Sequence, residues 1–310
     1  MSTALFTHPA CLAHENPPGH PEQVARLEVI AEALSQPRFA GLVRREAPVC
    51  APDALRLAHP AEYIAAIEAA APAEGFARLD PDTGMSPGTL EAARRAVGGA
   101  IAAVDAVLSG EVGNAFVAVR PPGHHAERRR AMGFCLFSNV ACAALHALEN
   151  RGISRVAVLD FDVHHGNGSQ DVLWNEARAR FVSSHQMPLY PGTGAASETG
   201  AHGNVLNMPL AEGTGGAEMR AAWGQALAQI ADFAPELVLV SAGFDAHARD
   251  PLGGLDWQTG DFAWLTGAIC EMADECCNGR VVSCLEGGYD LAALAEASAA
   301  HVGVLMEQGG

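Results

Sequence analysis

Two apolar runs constrain this chain more than any other feature. Arg155-Val156-Ala157-Val158-Leu159 and Leu237-Val238-Leu239-Val240-Ser241 are short, rich in β-branched residues and almost free of polar side chains. A strand with one wet face alternates apolar and polar residues, whereas a strand covered on both faces does not. Such runs call for a parallel sheet with helices on either side. Further strands are expected over residues 3–7, 42–46, 115–119, 181–184, 205–208 and 280–285. Helical spacing marks 59–71, 89–108, 137–150, 215–233 and 260–277, with a terminal helix after Tyr289. Pro21 and Glu22 suit the first turn of another helix, running to about Leu34. Residues 75–88 read as irregular chain. Strands alternating with helices place the chain in the α/β class. No repeat or linker interrupts it, so residues 1–310 are expected to form one domain.

Composition narrows the function. A formal charge of −17 argues against a nucleic-acid partner and favours cationic partners weakly. No run reaches the length of a membrane span, so no membrane partner is expected. The eight cysteines, Cys11, Cys50, Cys135, Cys142, Cys270, Cys276, Cys277 and Cys284, lie scattered among core-like segments. With no basic-then-apolar export segment at the N-terminus, they read as reduced core residues of a cytoplasmic protein. Nothing in the sequence sets an oligomeric state.

The chemistry gathers where the strands end. Leu159 runs into Asp160-Phe161-Asp162-Val163-His164-His165-Gly166-Asn167-Gly168, and Val119 into Arg120-Pro121-Pro122-Gly123-His124-His125. Ser241 leads to Gly243-Phe244-Asp245, and Leu285 to Glu286-Gly287-Gly288-Tyr289. Strand alternation sends Asp160, Asp162 and His164 one way and Phe161 and Val163 the other. Parallel strands bring all four ends to one edge, where α/β sheets bind ligands. Asp162, His164 and Asp245 would offer a cation two oxygens and a nitrogen, the three-ligand set of a catalytic zinc. His124 and His125 suit proton transfer, Asp160 and Asn167 suit the imidazoles' far nitrogens, and the Tyr289 hydroxyl suits a developing oxyanion. Singly, each has a plainer reading: the histidines as turn residues, Asp245 as a helix cap, Tyr289 as a packed aromatic. Their recurrence at successive strand ends favours the joint reading. His8, His14, His20, His59, His146, His185, His202 and His301 are left without a role.

These segments, together with Gly133-Phe134-Cys135, Tyr190-Pro191-Gly192-Thr193-Gly194 and Asp250-Pro251, resemble the histone deacetylase superfamily, in particular its class II-like bacterial deacetylases and acetylpolyamine amidohydrolases. They span nearly the whole chain in the family's order. The resemblance implies the arginase–deacetylase fold, a three-layer α/β/α sandwich around an eight-stranded, mostly parallel sheet. It implies one zinc ion, or ferrous iron in its place, on Asp162, His164 and Asp245. It makes His124 and His125 the tandem acid–base pair, backed by Asp160 and Asn167, with Tyr289 as the electrophilic hydroxyl. Gly133 and Phe134 would line a narrow tunnel, with Tyr190 facing them, Leu252 where polyamine-specific relatives carry an acidic gatekeeper, and Asp82, or next Asp80, as the rim carboxylate. A structural potassium ion is implied at Asp160 and at backbone carbonyls near Asp162, His164 and Ser183. Asn167 stands where class I members have Asp, so His125 should be less readily protonated.

The substrate implied is an acetylated lysine peptide or protein, or else an acetylated polyamine or other small amide. Leu252 and the short 75–88 segment lower the polyamine reading, although Asp80, Asp82 or Glu15 would still offer a rim carboxylate. A binuclear arginase-type ureohydrolase would need carboxylates where Gly166 and His247 stand. A non-catalytic acyl-lysine binder would need neither Tyr289 nor the two histidines.

Overall fold

A computed structural model describes residues 2–309. The strands are β1 (Thr3–Thr7), β2 (Val43–Glu46), β3 (Ala77–Arg78), β4 (Gly84–Met85), β5 (Asn114–Val117), β6 (Val156–Asp160), β7 (Ala179–Gln186), β8 (Val205–Leu210), β9 (Leu237–Ala242) and β10 (Val281–Leu285). The α-helices are α1 (Ala25–Ala33), α2 (Pro52–Leu55), α3 (Ala61–Ala70), α4 (Thr89–Leu108), α5 (Asn139–Asn150), α6 (Asn167–Leu173), α7 (Gly216–Phe233), α8 (Thr259–Cys277) and α9 (Leu291–Gln308).

Eight strands form one sheet in the order β2-β1-β5-β10-β9-β6-β7-β8. Every pairing in it is parallel. The two apolar runs supply β6 and β9, hydrogen-bonded neighbours in the middle of the sheet, and every residue of these two strands is buried. α4 and α5 pack together over β5, β10, β6 and β9, while α1, α7, α8 and α9 form a second packed group touching β5, β7 and β9. The sheet is thus sandwiched between helices, and that is why its central strands carry no polar face. Among the described residues no helix is long and apolar enough to cross a membrane.

Two local expectations change. The first long helix begins at Ala25 rather than at Pro21. Glu22 is instead a fully buried carboxylate in the preceding turn, where it meets Arg120, Arg26, Asn16 and His14. Tertiary charge pairing overrides the local proline signal there. The segment 75–88 is not wholly irregular, because β3 and β4 pair antiparallel as a small hairpin.

Candidate active site

The four strands whose ends carry chemistry, β5, β10, β9 and β6, are four consecutive neighbours in the sheet. Each loop leaving them opens at the same edge, so His125 and Tyr289, 164 positions apart, line one small cavity.

At the floor lie Asp162, His164 and Asp245, with ligating atoms within 4.8 Å of one another and all three side chains buried. His164 Nδ1 stands 3.1 Å from Asp162 Oδ1 and 3.2 Å from Asp245 Oδ2. The outer lone pairs are engaged by backbone: Gly287 N donates to Asp162 Oδ2 at 2.8 Å and Val163 N to Asp245 Oδ1 at 2.9 Å. Gly287 suits its place because a Cβ there would run into both carboxylates. β6 ends at Asp160, and the loop beyond is stitched by its own carboxylates: Asp162 N donates to Asp160 Oδ1 and His164 N to Asp162 Oδ1. Asp160 meets His124 and is not one of the Asp162–His164–Asp245 group.

Two buried carboxylates this close repel one another unless a proton or a cation lies between them. Counting protein groups alone, burial and the neighbouring charge of Asp162 raise the Asp245 carboxyl to about 7. Burial opposes protonation of His164, yet its bonds to Asp162 and Asp245 raise it to about 10. Two oxygens and one nitrogen converging in a buried, negatively charged cup fit a divalent ion such as zinc.

His124 and His125 lie beside this group with ring centroids 4.0 Å apart. His124 Nδ1 is 3.0 Å from Asp160 Oδ2, and its Nε2 is 3.8 Å from Asp162 Oδ2. His125 Nδ1 is 2.8 Å from Asn167 Oδ1. The environments push the pair apart. Burial works against charge on His124, but Asp162 and Asp160 raise it well above the ordinary histidine range. Burial, His124 and His164 hold His125 well below that range. Its reluctance to protonate thus has burial and neighbouring cations as its main causes, whereas Asn167 works in the opposite sense.

Above the floor a cavity of about 220 Å³ is lined by Asp82, His125, Gly133, Phe134, His164, Leu189, Tyr190, Leu252 and Tyr289. His125 lines it and His124 does not. The wall turn at Gly133-Phe134 has positive φ at both residues, 56° and 68°. Phe134 pays a steric cost in that region, and the rim hairpin holds it there. Asp82 Oδ1 accepts from Gly133 N at 3.1 Å and Thr83 Oγ1 from Phe134 N at 2.9 Å. The other rim carboxylates are less available. Asp80 pairs with Arg130 at 2.9 Å, and Glu15 lines a separate surface depression.

Several residues around the site had no role in the sequence reading. Glu286, buried inside, accepts from Gly123 N, His124 N and Ser241 Oγ and so anchors the histidine turn. Asp250 Oδ2 accepts from Tyr289 N at 2.6 Å. Arg26 donates to Gly288 O at 2.6 Å and Glu286 O at 2.5 Å, with its guanidinium 5.0 Å from the Tyr289 ring centre. Glu286 and Asp250 belong to the Glu286–Tyr289 and Asp250-Pro251 segments, so their position was a signal. Arg26 had none, because the backbone carbonyls that it holds beside Tyr289 lie 260 and 262 residues away. Of the histidines left without a role, His14, His59, His185 and His301 are buried with polar partners, and His20 packs edge-on against Phe134.

Residues 20–305 match the histone deacetylase domain model. The chain belongs to the histone deacetylase family. It is 39% identical to a histone deacetylase-like amidohydrolase of Pseudomonas aeruginosa, over 93% of this chain and 81% of that one. It is 37% identical to a probable deacetylase of Archaeoglobus fulgidus, over 94% and 82%. Rice histone deacetylase 10, a chloroplastic protein, is 38% identical over 95% of this chain and 71% of its own length. The crystal structure of the HDA15 HD domain superposes with a TM-score of 0.93 at 33% identity, covering 99% of this chain and 89% of that one. This family member is a deacetylase by kinship, with the family's arginase-like α/β fold.

Proposed function

We propose that this deacetylase is zinc-dependent and hydrolyses the amide of acyl-lysine, or of a related acylated primary amine, held in the narrow tunnel. The observation that carries the reading is the tunnel itself: an apolar shaft lined by His125, His164 and Tyr289, with Asp162 and Asp245 grouped around His164. Asp162, His164 and Asp245 are the residues to hold one Zn²⁺, with ferrous iron as the other candidate. When bound, the ion supplies Lewis acidity and lowers the pKa of a water at the floor to about 7.

The protein groups divide the remaining work. His125, neutral and lining the tunnel, takes the water's proton at Nε2 as its oxygen attacks the acyl carbon. Tyr289 donates its hydroxyl to the oxyanion. The carbon–nitrogen bond breaks, His125 passes its proton to the leaving nitrogen, and carboxylate and amine depart. His124 keeps its own proton between Asp160 and Asp162. Gly133, Phe134, Tyr190 and Leu252 exclude water around the aliphatic stem, and Asp82 faces the substrate at the rim. A structural potassium ion at Asp160 and the carbonyls near Asp162, His164 and Ser183 belongs to the same proposal. So does a reducing, cytoplasmic setting, which suits eight free cysteines.

Acetylpolyamines need an acidic rim to hold their distal cations. The pairing of Asp80 with Arg130 and the apolar Leu252 support acyl-lysine instead. The test is a panel of acetyl-lysine peptides, acetylputrescine and acetylspermidine on purified zinc-loaded protein, with and without chelator. Chelator-sensitive cleavage that favours the peptides is expected. Tenfold preference for the polyamines, or cleavage indifferent to metal, would overturn the reading.

A further inference from the structure

The two imidazoles differ in what stands behind them. Asp160 can only accept a hydrogen bond, so it imposes one arrangement on His124. Asn167 is an amide with an accepting end and a donating end. With Oδ1 toward His125, as here, Nδ1 carries the proton and Nε2 keeps a free lone pair. Turned over, the amide would present N–H to Nδ1, the ring proton would move to Nε2, and His125 could no longer take a proton there. One amide's orientation decides whether His125 can act as a base.

The surroundings of Asn167 decide that orientation. Its Nδ2 lies 2.8 Å from Glu127 Oε1 and 3.4 Å from Met132 Sδ. A carboxylate and a thioether both only accept, so both amide hydrogens have partners and the oxygen must face His125. A flipped amide would set its oxygen against the Glu127 carboxylate. Asn167 is buried, so no bulk water compensates the wrong orientation.

We infer that Glu127 is a positioning residue that locks the His125 tautomer through Asn167. The inference rests on the deacetylase reading, because it assigns Glu127 to the base of that reaction. A purely structural role suits Glu127 less well. Its carboxylate makes no other hydrogen bond among the described residues. The turn it occupies is closed by backbone, Glu127 N to Arg130 O at 3.0 Å, and tied down by Arg128 N to Asp171 Oδ2 at 2.8 Å. Removing the carboxylate leaves those bonds in place.

The experiment compares wild type, Glu127→Ala, Glu127→Gln and the double variant Glu127→Ala/Asn167→Asp. It measures kcat and KM on an acetyl-lysine peptide, and ring ¹⁵N spectra of ¹⁵N-histidine-labelled protein with and without zinc. Glu127→Ala is expected to lower kcat about tenfold with KM held within twofold, the scale of losing a partner behind a site residue. Its spectrum should gain an Nε2–H population at His125. Glu127→Gln, whose carbonyl still accepts from Asn167, should recover most of kcat. The double variant should outperform Glu127→Ala, because a carboxylate at position 167 only accepts and needs no lock. A Glu127→Ala kcat within twofold of wild type, or a loss with an unchanged His125 tautomer, overturns the inference. A wild type inert toward every acetyl amide, whose His125 spectrum still responds to Glu127→Ala, would refute the deacetylase reading and leave the lock standing.

Discussion

Replacing Tyr289 by Phe removes one oxygen atom and leaves the rest of the side chain intact. The ring's contacts do not involve that oxygen. Arg26 lies 5.0 Å from the ring centre, Phe134 meets the ring edge-on at 5.9 Å, and Asp250 holds the backbone N–H. The hydroxyl takes no protein partner among the described residues, so folding stability should change by less than about 0.5 kcal/mol, as for a substitution that breaks no native bond. If the hydroxyl donates to the oxyanion, its loss should cost the amount measured for single oxyanion donors, about 10²–10³-fold in kcat. The assay is steady-state turnover of an acetyl-lysine peptide, with zinc content and urea midpoint measured on the same preparation. Zinc and midpoint should match wild type while kcat falls. A Tyr289→Phe enzyme with full turnover would refute the electrophilic role, and one that lost zinc would show that the hydroxyl serves the metal group instead.

Two more predictions follow from the buried charges. Asp162→Ala should reduce bound zinc from about one per chain to near zero by elemental analysis, because the change removes one of three ligands in the group that suits a metal; unchanged stoichiometry would sink the ligand set. Burial lowers His301 to about 3 and His59 to about 4. Their folded pKa values lie below the ordinary histidine value near 6.5, so the stability they confer is complete above that pH and drains away as pH falls toward 4 and 3. Between pH 7.5 and 5.5 each should cost the zinc-loaded protein roughly 1.3 kcal/mol in urea unfolding. His301→Gln should remove its share of that decline, and an unaltered pH slope in the variant would contradict the burial argument.

Much of this was legible in the sequence because its signals are local. The uninterrupted apolar runs of β6 and β9 announced strands covered on both faces. Each strand was followed within a few residues by its reactive loop, so His124, His125, Asp162, His164, Asp245 and Tyr289 were all identifiable as candidates. What was not legible depended on partners far along the chain. Glu22 and Pro21 looked like the start of a helix because proline is a local cue, whereas the charge that claims Glu22 comes from Arg120, 98 residues later. Arg26 read as one more helix residue until the chain returned to put Gly288 and Glu286 beside it. Alternation applies up to Asp160, the last residue of β6, and beyond it the chain is loop. There carboxylate-to-backbone bonds brace the loop.

The sequence by itself determined the class of fold and a set of candidate side chains, since hydrophobic pattern and strand-end chemistry are written in consecutive residues. Only the tertiary structure decided that β5, β10, β9 and β6 lie side by side, an order unrelated to their order along the chain. That adjacency turns four polar strand ends into one site. It also decided which group stands behind which: Asp160 behind His124, Asn167 behind His125 and Glu127 behind Asn167. Hydrogen bonds act over about 3 Å and are indifferent to sequence separation, so only the packed chain could settle these pairings.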